Sequence, residues 1–255
     1  MNLKSKNPFL SSKSFANGNT TVYNADGSMV IDYNDTMTVN GAANKSFLLL
    51  FLLIASAVGS WALMGRGVNP YTLIIGGAIA GLVAVLVASF RPQLSPYLAP
   101  AYAIMEGLFI GAVTLIFEVM QPGIAVNAVL ATFVTFIVCF LLYRFRIVKV
   151  TEQFKSIVVA ATFAIATYYL VSWLFSMFTS FEPVHYGSSL MSIGISVFVI
   201  IIAALNLFLD FNMIEEGAQK KLPKYMEWFG AMGLIITLVW LYVEFLRLLS
   251  KLSRD

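Results

Sequence analysis

Seven long apolar runs decide what this chain can fold into. A helix needs about 20 apolar residues to cross the hydrocarbon core of a bilayer. The runs Lys45–Met64, Tyr71–Phe90, Leu98–Glu118, Ile124–Tyr143, Lys155–Phe181, Tyr186–Phe211 and Tyr225–Leu249 all meet that requirement. Lipid offers no partner to an open backbone, and the strand alternation of a barrel is absent, so each run predicts a helix. The linkers are short and carry breakers: Gly65-Arg66-Gly67, Arg91-Pro92, Gln121-Pro122-Gly123, Glu182-Pro183 and Leu222-Pro223. With 59% hydrophobic and 11% charged residues, the chain reads as an all-α integral membrane protein of seven transmembrane helices.

Residues 1–43 read as a disordered polar tail rich in Asn, Ser, Thr and Gly, and residues 44–255 as the membrane domain. The polar start argues against a cleavable signal peptide. Basic residues set the orientation. Lys45, Arg91, Arg144–Lys149, Lys155 and Lys220–Lys224 fall on the same side as the tail lysines, whereas Arg66, Arg247, Lys251 and Arg254 fall on the other. The excess predicts a cytoplasmic N-terminus and an external C-terminus. Gly77-x-x-x-Gly81 and Gly107-x-x-x-Gly111 read as helix-packing motifs, and Ala55-x-x-x-Gly59 as a weaker one.

Charges inside apolar runs are the candidates for function, because one held at the bilayer centre costs about 2.5–3.5 kcal/mol and needs a partner, a proton or water. Asp210 lies in the sixth run with Asn206 one turn earlier on the same face. It reads either as a group facing the bundle interior or as an interfacial acid beside Glu215 and Glu216. Glu244 shares a heptad-spaced face with Gly230 and Thr237, and Arg247 stands one turn on, where it would neutralise the acid. Equal distance from the Lys220 turn places Glu227 nearer the level of Asp210, with a first-turn helix acid as its other reading. Glu106 is an isolated charge in the third run, and Arg91 is the nearest basic group in sequence, suited also to snorkelling. Two carboxyls close together in low dielectric titrate as a unit, and carboxylates with carbonyls suit a hard cation such as calcium, so the residues alone point to a proton- or cation-responsive membrane protein without saying which.

The segments LNLFLDFNMIEEG and LVWLYVEFLRLL resemble the closing spans of the Bax inhibitor-1 family of transmembrane proteins. APAYAIMEGLFIGAVTLIFE and MTVNGAANKSFLLLFLL resemble a bacterial branch with a polar N-terminal tail. The resemblance covers roughly residues 37–252. It implies a bundle with the seventh helix central among the other six. It also implies a pH-sensitive calcium leak gated by acids on spans six and seven, here Asp210 and Glu244, which become the candidate metal ligands, with Arg91 as a latch on the span-six acid. Glu244 stands where the family more often has Asp, and it lies further from Asp210 than is usual there, which leaves Glu227 as an alternative partner.

The expected function is therefore a proton-responsive calcium or cation leak of the cell membrane. A membrane scaffold for a protease or stress-response partner is the alternative. The expected partners are the lipid bilayer, calcium ions or protons, and a membrane protein in the scaffold reading; nucleic acid is not among them. No resident cofactor is expected, calcium binding being transient. An enzyme is not expected either. His185 is the one histidine, no span has an interior lysine for a retinal linkage, and Ser188 near His185 reads as a helix cap.

Overall fold

The structure, a computed structural model, describes residues 22–23, 29–30, 36–179 and 183–253. Seven helices follow one another: α1 Val39–Gly65, α2 Pro70–Phe90, α3 Ser95–Met120, α4 Ile124–Arg144, α5 Glu152–Phe178, α6 Leu190–Gln219 and α7 Met226–Leu252. All are long and apolar enough to cross a membrane. Ahead of them, a two-residue antiparallel ladder, β1 (Val22–Tyr23) with β2 (Met29–Val30), is the regular structure among the described residues of the N-terminal segment. The rest of the expected disordered tail, residues 1–21, 24–28 and 31–35, lies outside the described residues, as does Phe181.

Local chemistry explains where the helices begin. The Thr38 side chain accepts the Gly41 N–H, so α1 starts at Val39, inside what reads from sequence as tail and ahead of the expected Lys45. Thr151 caps α5 in the same way through Phe154, and Ser189 caps α6 through Ser192. The α6 start at Leu190, rather than Tyr186, follows from a single 3₁₀ turn at Val184–Tyr186. At its other end α6 runs through Gln219, past the expected Phe211, so that Asp210 lies well inside the helix.

α7 fills the centre. In its most apolar window 56% of residues are buried, against 17% for α1 and α5. It packs against α1, α3, α4 and α6, and Tyr169 of α5 reaches Glu244 on it. α2 leans mainly on α3. The main apolar core joins Leu49 and Leu53 of α1, Tyr102 of α3, Leu207 and Phe208 of α6, and Ile235 and Leu241 of α7. The glycine motifs sit at close helix approaches. A Cβ on Gly107 or Gly111 would overlap the α1 backbone at Leu53 or Ala57, and one on Gly77 would come within 2.7 Å of the Met105 carbonyl. Gly59, by contrast, has nothing within 4 Å of its Cβ position among the described residues, so the weaker motif shows no close helix approach there.

Candidate functional site

The helix order brings the start of α1, the α2–α3 and α4–α5 junctions and the α6–α7 turn to one end of the bundle, here the turn end. Asp210 lies between that end and the middle of α6, with nine residues (about 14 Å of rise) separating it from Gln219. It faces α7. Its Oδ1 stands 3.6 Å from the point where a Cβ on Gly233 would sit, and the Thr237 hydroxyl adjoins the carboxyl. The carboxyl thus packs in ordinary contact distance of the α7 backbone at Gly233. Oδ2 is buried and has no hydrogen-bond partner. Of the two readings of Asp210, the structure has the one that faces the bundle interior.

Asn206 shares the helix face but not the task. Its amide donates to Thr162 Oγ1 of α5 at 2.8 Å and to its own helix at Ile202 O, 2.9 Å. The polar stripe therefore divides, one member turned to α5 and the other to α7.

Neither candidate partner reaches Asp210. Glu244 lies two turns beyond Thr237, about 10 Å further along α7. There it is 1% exposed, accepts from the Tyr169 hydroxyl at 3.2 Å and pairs with Arg247 at 3.1 Å. Its other oxygen, Oε2, is buried without a partner. The expected pair of metal ligands is corrected accordingly: Asp210 and Glu244 stand too far apart along α7 to share one ion. Among the described residues no group of three or more His, Cys, Asp and Glu is placed to hold a metal.

Glu227 is also committed elsewhere. It accepts from the Thr38 N–H at 2.9 Å and the Thr38 hydroxyl at 3.0 Å, and it forms an ion pair with Lys45. The Lys45 ammonium also lies over the Trp228 ring. Of the two sequence readings of Glu227, the partner of Asp210 is not what the structure has, and the first-turn acid is part of it. It is a first-turn acid of α7, yet its carboxylate caps and neutralises α1.

Arg91, the expected latch, is the C-cap residue of α2 at the turn end, with an exposed side chain that pairs with no carboxylate among the described residues. Helix geometry explains this: α2 leans on α3, outside the α6–α7 seam that holds Asp210. Glu106 lies at the α2–α3 contact, where its Oε2 stands 2.7 Å from the Cβ position of Gly81. It makes no hydrogen bond or ion pair among the described residues.

The opposite end holds a cluster that sequence reasoning reduced to Glu244 and Arg247. Lys251, counted from the sequence only among the outer basic residues, is 8% exposed and donates to Ser192 O at 3.2 Å and Ser196 Oγ at 2.7 Å. Arg247 stacks on Tyr169, and His185 sits edge-on to Tyr168 and tilted against Tyr169. Burial, then the charges of Arg247 and Lys251, pull the His185 pKa below its usual 6.5. Lys251 recurs on the Glu244 face at the heptad spacing, which is the signal in the sequence that could have found it.

The site thus offers one deep carboxylate with an unused oxygen between α6 and α7, an ion-pair lock at each end of α7, and an isolated acid at α2–α3. No curated protein matches the chain. A family model described as Bax inhibitor 1 like matches residues 7–254, nearly the whole of it, and the chain belongs to that family.

Proposed function

We propose that the protein is a calcium-permeable cation leak of the plasma membrane, with its N-terminus in the cytoplasm and Asp210 as its proton-responsive group. The single observation that carries this reading is the orphaned Oδ2 of Asp210, buried in the α6–α7 seam without a donor. An ionised carboxylate there lacks the hydrogen bonds that would offset its desolvation, so it takes a proton or a cation. Protonated, it leaves the seam neutral and closed. Ionised, it attracts a hard cation, with Thr237 and neighbouring carbonyls as further oxygens. Protons and calcium then compete for one oxygen pair. Membership in a family with a calcium-leak role supports the choice of ion. The basic residues gathered at the turn end, from Arg91, Arg144 and Lys149 to Lys220, support placing that end in the cytoplasm.

The test is calcium entry into liposomes reconstituted with the protein, followed by a trapped indicator across a pH series. Competition predicts flux that falls as the pH falls, and Asp210→Asn should flatten that dependence. A mutant whose flux tracks the wild type at every pH would remove Asp210 from the mechanism.

A further inference from the structure

The residues that lead into α1 occupy the seam below Asp210. The Met37 N–H donates to the Leu222 carbonyl in the α6–α7 turn at 2.7 Å. The Met37 side chain is 4% exposed. Its sulfur lies 2.7 Å from the Cβ position of Gly217 on α6, and its methyl 3.6 Å from that of Gly230 on α7. Ile214, Leu222 and Met226 complete the socket. On α6, Asp210, Ile214 and Gly217 follow one another at one-turn intervals along a single face. On α7, Gly230 precedes Gly233 by one turn, and Gly233 is the residue against which the Asp210 carboxyl rests. Met37 therefore fills the α6–α7 seam closer to the turn end than Asp210, one turn on along α7 at Gly230 and one to two turns on along α6 at Ile214 and Gly217.

Glu227 holds Met37 there. Its carboxylate gathers the Thr38 N–H, the Thr38 hydroxyl and the Lys45 ammonium. Gly41 lies so close that a Cβ on it would overlap the carboxylate. These contacts fix the chain direction immediately after Met37, and with it the depth of the thioether in its socket. A flexible, unbranched side chain between two glycines is a suitable stopper, because it fills an irregular gap and withdraws without breaking a helix.

We infer that Met37 is a plug on the cytoplasmic approach to Asp210 and that Glu227 is the positioning residue that seats it. The consequence for flux rests on the leak reading above; the consequence for access to Asp210 does not.

The experiment places a thiol at the guarded position, Asp210→Cys, in a Cys139→Ala background, with the full chain in lipid nanodiscs. The rate of modification by a small, water-soluble thiol reagent is measured. Met37→Ala is expected to raise that rate roughly tenfold or more, as local opening of the seam becomes unnecessary for access, and Met37→Leu to keep it slow. Glu227→Gln is expected to raise it as well, but it also loosens α1, so Met37→Ala decides. An unchanged rate in Met37→Ala protein that melts like its parent overturns the plug. Calcium flux is then compared with Asp210 intact. Faster labelling with no Asp210-dependent flux in any variant keeps the plug and removes the leak. Asp210-dependent flux with unchanged labelling does the reverse.

Discussion

Glu106 and Gly81 meet near the midpoints of α3 and α2, with a carboxylate oxygen 2.7 Å from where a glycine Cβ would stand. Among the described residues this acid has no ion-pair partner, and what it meets is the small-residue face of α2. Replacing Gly81 with Leu should force the acid or the helix aside and lower stability by about 1–3 kcal/mol. Glu106→Gln should cost little, because the neutral amide fits the same recess. Thermal unfolding in detergent measures both; a Gly81→Leu protein as stable as its parent would show that α2 does not pack there.

Asp210 offers the opposite sign. Its orphaned Oδ2 costs the fold free energy that the proposed ion binding uses. Asp210→Asn, or the apolar Asp210→Leu, should raise stability by about 1–2 kcal/mol while removing pH-dependent flux. Melting temperatures set beside flux on the same preparations test the pair of effects. Destabilisation by both substitutions would mean that the carboxylate has a structural partner.

At the other end of α7, Arg247 neutralises the buried Glu244. Arg247→Met should destabilise by about 2 kcal/mol, discounted because the guanidinium is partly exposed. Adding Glu244→Gln should restore most of that loss, since the amide leaves no uncompensated charge. Tyr169→Phe removes one hydrogen bond and should cost about 1 kcal/mol. A double-mutant cycle for Glu244 and Arg247 that shows no coupling would dismiss the lock.

His185 predicts a pH dependence of the loop it sits in. It packs beside Tyr168 and Tyr169 of α5 and faces Arg247 and Lys251 of α7. Its folded pKa lies below 6.5, so in the interval between the two values the unfolded chain binds more protons. The contribution of neutral His185 is therefore complete above about pH 6.5 and is lost as the pH falls below it. Hydrogen exchange at Val184–Tyr186 should speed up between about pH 7.5 and about pH 5.5 beyond the intrinsic chemical trend. His185→Asn should abolish the excess, and an equal excess in that variant would assign it to another group.

The seven helices were legible because lipid allows no alternative to a run of about twenty apolar residues. The burial of Asp210 was legible for a related reason, since Phe211, Met213 and Ile214 carry the apolar pattern past it. Partner choice was not legible. Register along the hairpin ranked Glu227 against Glu244 by depth alone, whereas the contact that binds Glu227 comes from Thr38 and Lys45 at the far end of the chain. The α1 start was hidden for the same reason. Thr38 to Lys45 looks like polar tail until the carboxylate that caps it is brought in by folding. Arg91 could be paired with an acid only by assuming which helix α2 lies on, and no local pattern encodes that.

The helix that fills the centre follows all its neighbours in the chain. During synthesis α1 to α6 must wait in the bilayer with the faces meant for α7 still turned to lipid or to one another. Glu227, Glu244 and Lys251, the polar groups it carries, find their contacts on α1, α5 and α6 only after those helices have been inserted. Translation thus delivers the central piece last: α1, α2 and α3 have faces for one another that need no α7, whereas a nascent chain cut short before α7 lacks the piece around which the whole bundle settles.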